Sequence, residues 1–246
     1  MTLYESIKRL LKRFIPAFIL FRIELPLRRI YAIPFQGNRF ECPVCGSHLN
    51  KFIELKQSDT LCPVCGSLPR HRRLWSFLKD NTELKGRLLH FSPSRALWRV
   101  LRQIPELDYQ TTDYEASAFA QHRYDITGLP LEDNRFDLII CFHVLEHIPE
   151  DKKAMKELFR ILKPGGKVLI QTPFKDGTIY EDASIISPED RLRHFGQADH
   201  VRVYSVEGLK GRLEKAGFRV EVFQFEEQPD NRHGFKKEEV LLVGSK

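Results

Sequence analysis

The apolar residues from Phe136 to Phe142 run almost unbroken for the length of one strand, which suits a strand covered on both faces in a parallel sheet. Polar residues follow at once, with His143, Glu146 and His147. From Pro149 the apolar spacing changes to Ala154, Met155, Leu158, Ile161 and Leu162. This is a helical stripe, and Lys163-Pro164-Gly165-Gly166 stops it before Val168 to Ile170 returns to strand. The result is one βαβ unit, and in open sheets of this kind ligands sit at the carboxyl ends of the strands. The same alternation surrounds it. Arg87 to Phe91 predicts a buried first strand, and Ser94 caps a helix carrying Ala96, Leu97, Val100 and Leu101. Tyr109 to Thr112 predicts a second strand ending in Asp113, and Tyr124 to Ile126 a short third one. Leu209, Leu213 and Ala216 form a last helical stripe closed by Gly217, and Phe218 to Phe223 and Val240 to Val243 supply two final strands. The pattern predicts a doubly wound, mostly parallel α/β sheet of seven strands.

A chain of 246 residues holds one such domain with a small appendage. The expected division is a leader over 1–36, a cysteine module over 37–68 and the α/β domain over 69–246. Within the last, 173–204 is too long for a simple connection and is expected to cover the site. No run approaches the roughly 18 to 20 apolar residues of a membrane span. The start of the chain shows no small-residue cleavage site, so the cytoplasm is the expected compartment.

The net charge of +6 changes the picture only once it is located. Residues 1–40 hold eight Lys and Arg against two Glu, so the rest of the chain is neutral on balance. A broad phosphate-tracking surface on the main domain is not indicated, and nucleic acid is not the favoured partner. Within the leader, Tyr4, Ile7, Leu11, Phe14 and Phe18 recur at helical spacing with Lys8, Arg9, Lys12 and Arg13 on the other side, interrupted at Pro16. Such a helix packs its stripe on its own domain, the favoured reading, or lies on the inner face of an anionic membrane through residues 4–24.

Cys42-Pro-Val-Cys45-Gly46 and Cys62-Pro-Val-Cys65-Gly66 give two CxxC pairs sixteen residues apart. Each glycine lets the backbone turn back so that both thiolates face one ion, and two such pairs make a closed tetrahedral zinc site. Four thiolates leave no open position, so this zinc is structural. The fifth cysteine, Cys141, lies in the apolar strand. After the second pair, Arg70, Arg72 and Arg73 open a helix with Leu74, Trp75 and Leu78 inward. A short basic cluster of this sort is read as a solvated face ahead of a phosphate holder.

The order of parts from about residue 86 to 245 resembles the class I S-adenosylmethionine-dependent methyltransferases, a Rossmann-like family, and its small-molecule branch in particular. The resemblance rests on Tyr124-Asp125-Ile126 with Leu129-Pro130, Phe136-Asp137-Leu138-Ile139-Ile140, His143-Val144-Leu145-Glu146-His147 and Leu162-Lys163-Pro164-Gly165-Gly166. It implies that Asp113 accepts from the ribose hydroxyls of S-adenosylmethionine. It also implies that Asp125 accepts from the adenine amino group beside the Ile126 backbone, and that Phe142 and His143 flank the methionine end. The first motif departs from the family. His90-Phe91-Ser92-Pro93-Ser94 stands where a glycine-rich turn is usual, so His90, Ser92 and Ser94 are the cofactor-binding candidates there, with a neutral imidazole that does not repel the sulfonium. The stretch Phe195-Gly196-Gln197-Ala198-Asp199-His200-Val201-Arg202-Val203-Tyr204 and the leading cysteine module are similar to a set of bacterial methyltransferases of unassigned substrate.

Methyl transfer from a sulfonium is an in-line displacement, and a hydroxyl acceptor also needs a base. His147 is the first candidate, with His143 and His194 as alternates. The expected acceptor is a small molecule or a carrier-linked sugar or lipid headgroup. An RNA base methyltransferase with a zinc recognition module and a non-catalytic protein of the same fold are the rival readings.

Overall fold

The computed structural model describes residues 17–55, 59–115, 117–227 and 229–246, without the side chains of residues 17, 18, 20 and 21. The leader stripe from Tyr4 to Pro16 lies outside the described residues. In chain order the first elements are α1 (Ala17–Tyr31), β1 (Gln36–Glu41), β2 (His48–Leu49), β3 (Ile53–Glu54), β4 (Thr60–Leu61) and α2 (Pro69–Asn81). There follow β5 (Gly86–Phe91), α3 (Arg95–Leu101), β6 (Leu107–Thr112), β7 (Phe136–Phe142), α4 (Asp151–Ile161) and β8 (Leu162–Gln171). The last are β9 (Tyr180–Glu181), α5 (Pro188–Phe195), β10 (Arg202–Val203), α6 (Val206–Lys215), β11 (Arg219–Phe225) and β12 (Glu239–Ser245). No described helix is long and apolar enough to cross a membrane.

The chain divides into two compact units. The first gathers the described residues up to Leu84 with 94–104 and 226–239. Two small antiparallel ribbons, β1–β2 and β3–β4, follow from its alternating short runs. Arg72 of α2 is fully buried here: its guanidinium donates to the carbonyls of Ser67 at 2.8 Å and Gly234 and to Thr60 Oγ1 at 2.7 Å, and lies over the Phe52 ring. Arg73 pairs with buried Glu239 at 3.1 Å. The solvated face expected of this arginine cluster is therefore wrong for Arg72 and Arg73. Their planar forks satisfy carbonyls and a carboxylate that the small unit buries. Glu24 of α1 holds Arg28, Arg95 and Arg99 at 2.9, 3.1 and 2.7 Å. Burial acts to raise the Glu24 carboxyl, but these arginines pull it down to about 2.

The second unit holds 85–93, 105–225 and 240–246. Its sheet has the order β11-β12-β8-β7-β5-β6, with β6, β5, β7 and β8 parallel and β12 antiparallel to β8. The core is the predicted one: Leu89, Ile139, Val168 and Ile170 of the strands bury with Ala154, Met155, Leu158 and Ile161 of α4 and Leu209 and Leu213 of α6. Two details differ from the sequence pattern. The Lys163 to Gly166 stretch is a bulge at the start of β8, where Phe136 pairs with Leu162 while Leu138 pairs with Lys167. Asp137 anchors it, accepting from Lys163 Nζ and from the Arg87 amide, each at 2.8 Å.

Among the described residues the sheet has six strands, and the third strand expected at Tyr124 to Ile126 does not form. Only an isolated bridge joins His122 to Thr112. The Tyr124 amide donates to Thr112 Oγ1 at 3.1 Å, and Asp125 folds back to accept from the amide and hydroxyl of Thr127 at 2.8 Å. Such local side-chain bonds compete with a ladder, and a three-residue strand has too few rungs to win.

Candidate functional site

Parallel register sets the carboxyl ends of three strands side by side. Phe91 pairs with Thr112 on one side and with Cys141 on the other, so Ser92, Asp113 and Phe142 to His143 emerge at one edge. Ser92 donates its amide to the Thr112 carbonyl at 2.8 Å and its hydroxyl to Asp113 Oδ1 at 3.0 Å. The His143 amide donates to Gln171 O at 2.8 Å. Ser92 and His143 have positive φ, 45° and 54°, a conformation that side chains with a Cβ seldom adopt. Strain of this sort is kept where surrounding structure enforces it, and it gathers at functional sites. The glycine-free first motif thus turns through Ser92 in the region a glycine would have taken.

His90 lies below this edge, 2% exposed, with Nδ1 2.9 Å from the Tyr109 hydroxyl. Burial pushes its pKa down to about 3, so the ring is neutral at physiological pH. The unfolded chain takes up this proton near the ordinary 6.5, so stability is lost as pH falls from there toward 3. Acidification from pH 7 to 4.5 is expected to cost the native protein about 3 kcal/mol more than the H90Q variant. Urea titrations of both proteins at the two pH values measure it.

The turn after β7 receives part of the segment 173–204. His200, Arg202 and Tyr204 alternate along an extended stretch, and all three are buried. Arg202 donates to the carbonyls of Leu145 at 3.2 Å, Ile148, and Pro149 at 2.9 Å, and to Glu181 Oε2 at 2.8 Å. Tyr204 donates to Asp151 Oδ2 at 2.6 Å, and Arg212 bridges Asp151 and Glu181. The Arg212 hydrogen bond comes first among the causes that hold the Glu181 carboxyl at about 2. The Val201 amide donates to the Glu146 carbonyl at 2.9 Å. His147 Nδ1 lies 3.2 Å from Asp199 Oδ2, and the rings of His147 and His200 meet edge to face.

In the first unit the four cysteine sulfurs come together within 4.8 Å of one another. Cys42 and Cys65 are 3.7 Å apart, and Cys45 and Cys62 3.8 Å. A tetrahedral ion with Zn–S bonds of about 2.3 Å spaces its sulfurs by about 3.8 Å, so the cluster fits such an ion. The two knuckles repeat one geometry: Gly46 and Gly66 turn at φ 69° and 78° and donate to the carbonyls of Cys42 and Cys62. The Cys42 and Cys62 amides donate to Ser47 O and Ser67 O. Ser67, fully buried, sets its hydroxyl 3.2 Å from the sulfurs of Cys42 and Cys65.

A family profile described as "Methyltransferase domain" matches residues 51–222, more than half of the chain. The chain belongs to this methyltransferase family. A relative in Mycolicibacterium smegmatis, named a probable S-adenosylmethionine-dependent methyltransferase, is 32% identical over 132 residues, 50% of this chain and 46% of that protein. The ubiquinone/menaquinone biosynthesis C-methyltransferase UbiE of Vibrio cholerae is 32% identical over 106 residues, 37% of this chain and 40% of its own. The matches thus span less than half the length of these relatives. Among solved structures, an S-adenosylmethionine-dependent methyltransferase from Archaeoglobus fulgidus shares the fold at TM-score 0.51 and 18% identity, over 72% of this chain and 91% of that one. The phosphoethanolamine N-methyltransferase 2 of Haemonchus contortus, in complex with S-adenosyl-L-methionine, does so at 0.50 and 15%, over 72% of this chain and 52% of its own.

Within the methyltransferase domain, Ser92, Asp113, Phe142 and His143 gather at one sheet edge. Asp125 and Ile126 follow the Thr112–His122 bridge, Ile126 buried and Asp125 held low by the amide and hydroxyl of Thr127. Ser94 belongs to the first unit, where its hydroxyl caps α3 by accepting from the Leu97 amide at 3.3 Å. Of the base candidates, His143 and His147 share the turn after β7, while His194 sits exposed with Nδ1 2.7 Å from the Tyr180 hydroxyl. The sequence places Glu146 beside His147 at the strand end, where the family resemblance makes a second metal conceivable but not favoured, and names Asp199 and His200 only within the 195–204 stretch, with no role of their own. The available signal was the alternation of His200, Arg202 and Tyr204, which marks one buried face of an extended segment.

Proposed function

We propose that this methyltransferase transfers the methyl group of S-adenosylmethionine to a small or carrier-linked acceptor, with a structural zinc ion held by Cys42, Cys45, Cys62 and Cys65. The observation that carries the reading is the shared edge of β5, β6 and β7, where Ser92 already engages Asp113 in a chain that matches the methyltransferase family. The cofactor supplies an electrophilic methyl group on a sulfonium. Asp113 accepts from its ribose hydroxyls, Asp125 and the Ile126 backbone face the adenine, and Phe142 with His143 bounds the methionine end. Neutral His90 adds no charge against the sulfonium.

Displacement at a sulfonium is in line, so holding the acceptor accounts for much of the rate, about 7 to 11 kcal/mol in well-oriented systems. A proton leaving a hydroxyl acceptor goes to one histidine of the turn after β7, His147 or His143. One relative is named for ubiquinone/menaquinone biosynthesis, which supports an acceptor other than nucleic acid here. The near-neutral balance beyond residue 40 also favours it over RNA.

Calorimetry with S-adenosylmethionine tests the reading. The native chain is expected to bind, and D113A to bind about 10- to 100-fold more weakly, the loss of one charge-assisted hydrogen-bonding group. Absence of binding at millimolar cofactor removes every enzymatic reading and leaves a non-catalytic protein of this fold.

A further inference from the structure

Glu146, His147 and His200 bring one ligand atom each to within 4.8 Å of the others, in a cluster separate from the four cysteines. Glu146 is 1% and His200 2% exposed. Neither carboxylate oxygen of Glu146 has a hydrogen-bond partner among the described residues, and neither does His200 Nε2. His143 Nδ1 approaches Glu146 Oε1 to 3.2 Å, an ion-pair distance outside hydrogen-bond direction. Three buried lone-pair donors left without protons to accept are costly to keep, unless something cationic fills the space between them.

The surroundings of both imidazoles point the same way. His200 Nδ1 lies 3.1 Å from the Phe195 carbonyl, which fixes its proton there and leaves Nε2 as a free lone pair. Asp199 lies 3.2 Å from Nδ1 of His147 and does the same for that ring. A carbonyl or carboxylate behind each histidine is the usual support of metal-bound imidazole, since it sets the tautomer and strengthens the ligand.

We propose that Glu146, His147 and His200 form a binding site for a divalent transition ion, distinct from the cysteine site. Two nitrogens and one carboxylate suit zinc, iron or cobalt and leave coordination positions open. The site spans two segments, Glu146 and His147 on the turn after β7 and His200 on the covering stretch 173–204. An ion there ties that cover to the strand end. Metal binding itself does not depend on methyl transfer. One consequence does rest on that reading: with His147 committed to the ion, His143 is the histidine left to take the acceptor's proton.

The test uses full-length protein with its cysteine site loaded with zinc, titrated with Co²⁺ alone. One further equivalent is expected, with weak ligand-field absorption and no thiolate-to-cobalt charge transfer. E146Q and H200A should abolish it while zinc content and S-adenosylmethionine binding persist. Because those buried variants are exposed to misfolding, D199N, at a side chain 70% exposed, is the second arm and should bind Co²⁺ about 10- to 100-fold more weakly. Failure of the native protein to take a second equivalent overturns the proposal, as does undiminished binding by a folded H200A. Cobalt binding without cofactor binding would retain the metal site and reject the methyltransferase reading, so the two failures are distinguishable.

Discussion

Stripping the metal from zinc-loaded protein with a chelator is expected to unfold the knuckle region locally. Binding of a structural zinc contributes about 10 to 16 kcal/mol in small four-ligand modules, more than a ribbon of this size recovers from burial. β2, β3 and β4 are two residues long each, so the ladder alone cannot hold them. The effect should travel into α2, because the Arg72 guanidinium donates to Ser67 O, two residues beyond Cys65. Hydrogen exchange is the measurement. Amides of residues 36–55 and 59–75 should lose protection on chelation and in C62S, while those of β7 and β8 keep it. Protection unchanged after the zinc has been shown to leave would sink the structural role.

The second large effect is expected at Arg202. Replacing it with Ala should destabilise the protein by about 3 to 5 kcal/mol, the scale for removing one partner of a buried charge network. Arg202 is 5% exposed and donates to three carbonyls of the turn after β7 as well as to Glu181. Without it the Ile148 and Pro149 carbonyls lose this donor, Glu181 retains only Arg212, and Asp151 retains Arg212 and Tyr204. R202K should recover only part of the loss, since an ammonium cannot reproduce the planar fork. Urea unfolding of both variants measures this, with R193A as a control: Arg193 is 75% exposed, and its pairing with Asp190 should contribute under about 1 kcal/mol. A cost below 1 kcal/mol for R202A would mean that segment 173–204 is not pinned by this side chain.

Both predictions turn on groups whose type was legible and whose placement was not. The CPVCG pairs marked by spacing alone the four sulfurs that gather in the first unit, because two cysteines and a turning glycine are a local device. Arg72 and Arg73 of α2 read locally as part of a solvated face, since nothing local reveals that residues 226–239 supply the carbonyl and carboxylate that bury them. Tyr124 to Ile126 looked like a strand by composition, yet the Asp125 turn and the Thr112 hydroxyl took its hydrogen bonds.

By itself the sequence determined the alternation of strands and helices, the extent of β7, the stripe on α4 and the two cysteine pairs. Each depends on periodicity or spacing within one segment. Tertiary structure decided how segments far apart in sequence meet. It brought Ser92 to Asp113 through parallel register, and His200 and Arg202 onto the turn after β7 some 55 residues earlier. It also decided that Glu146 and His200 would be buried with their acceptors unpaired. The physical reason is that burial and the satisfaction of polar groups are properties of the packed neighbourhood, and no window along the chain contains that neighbourhood.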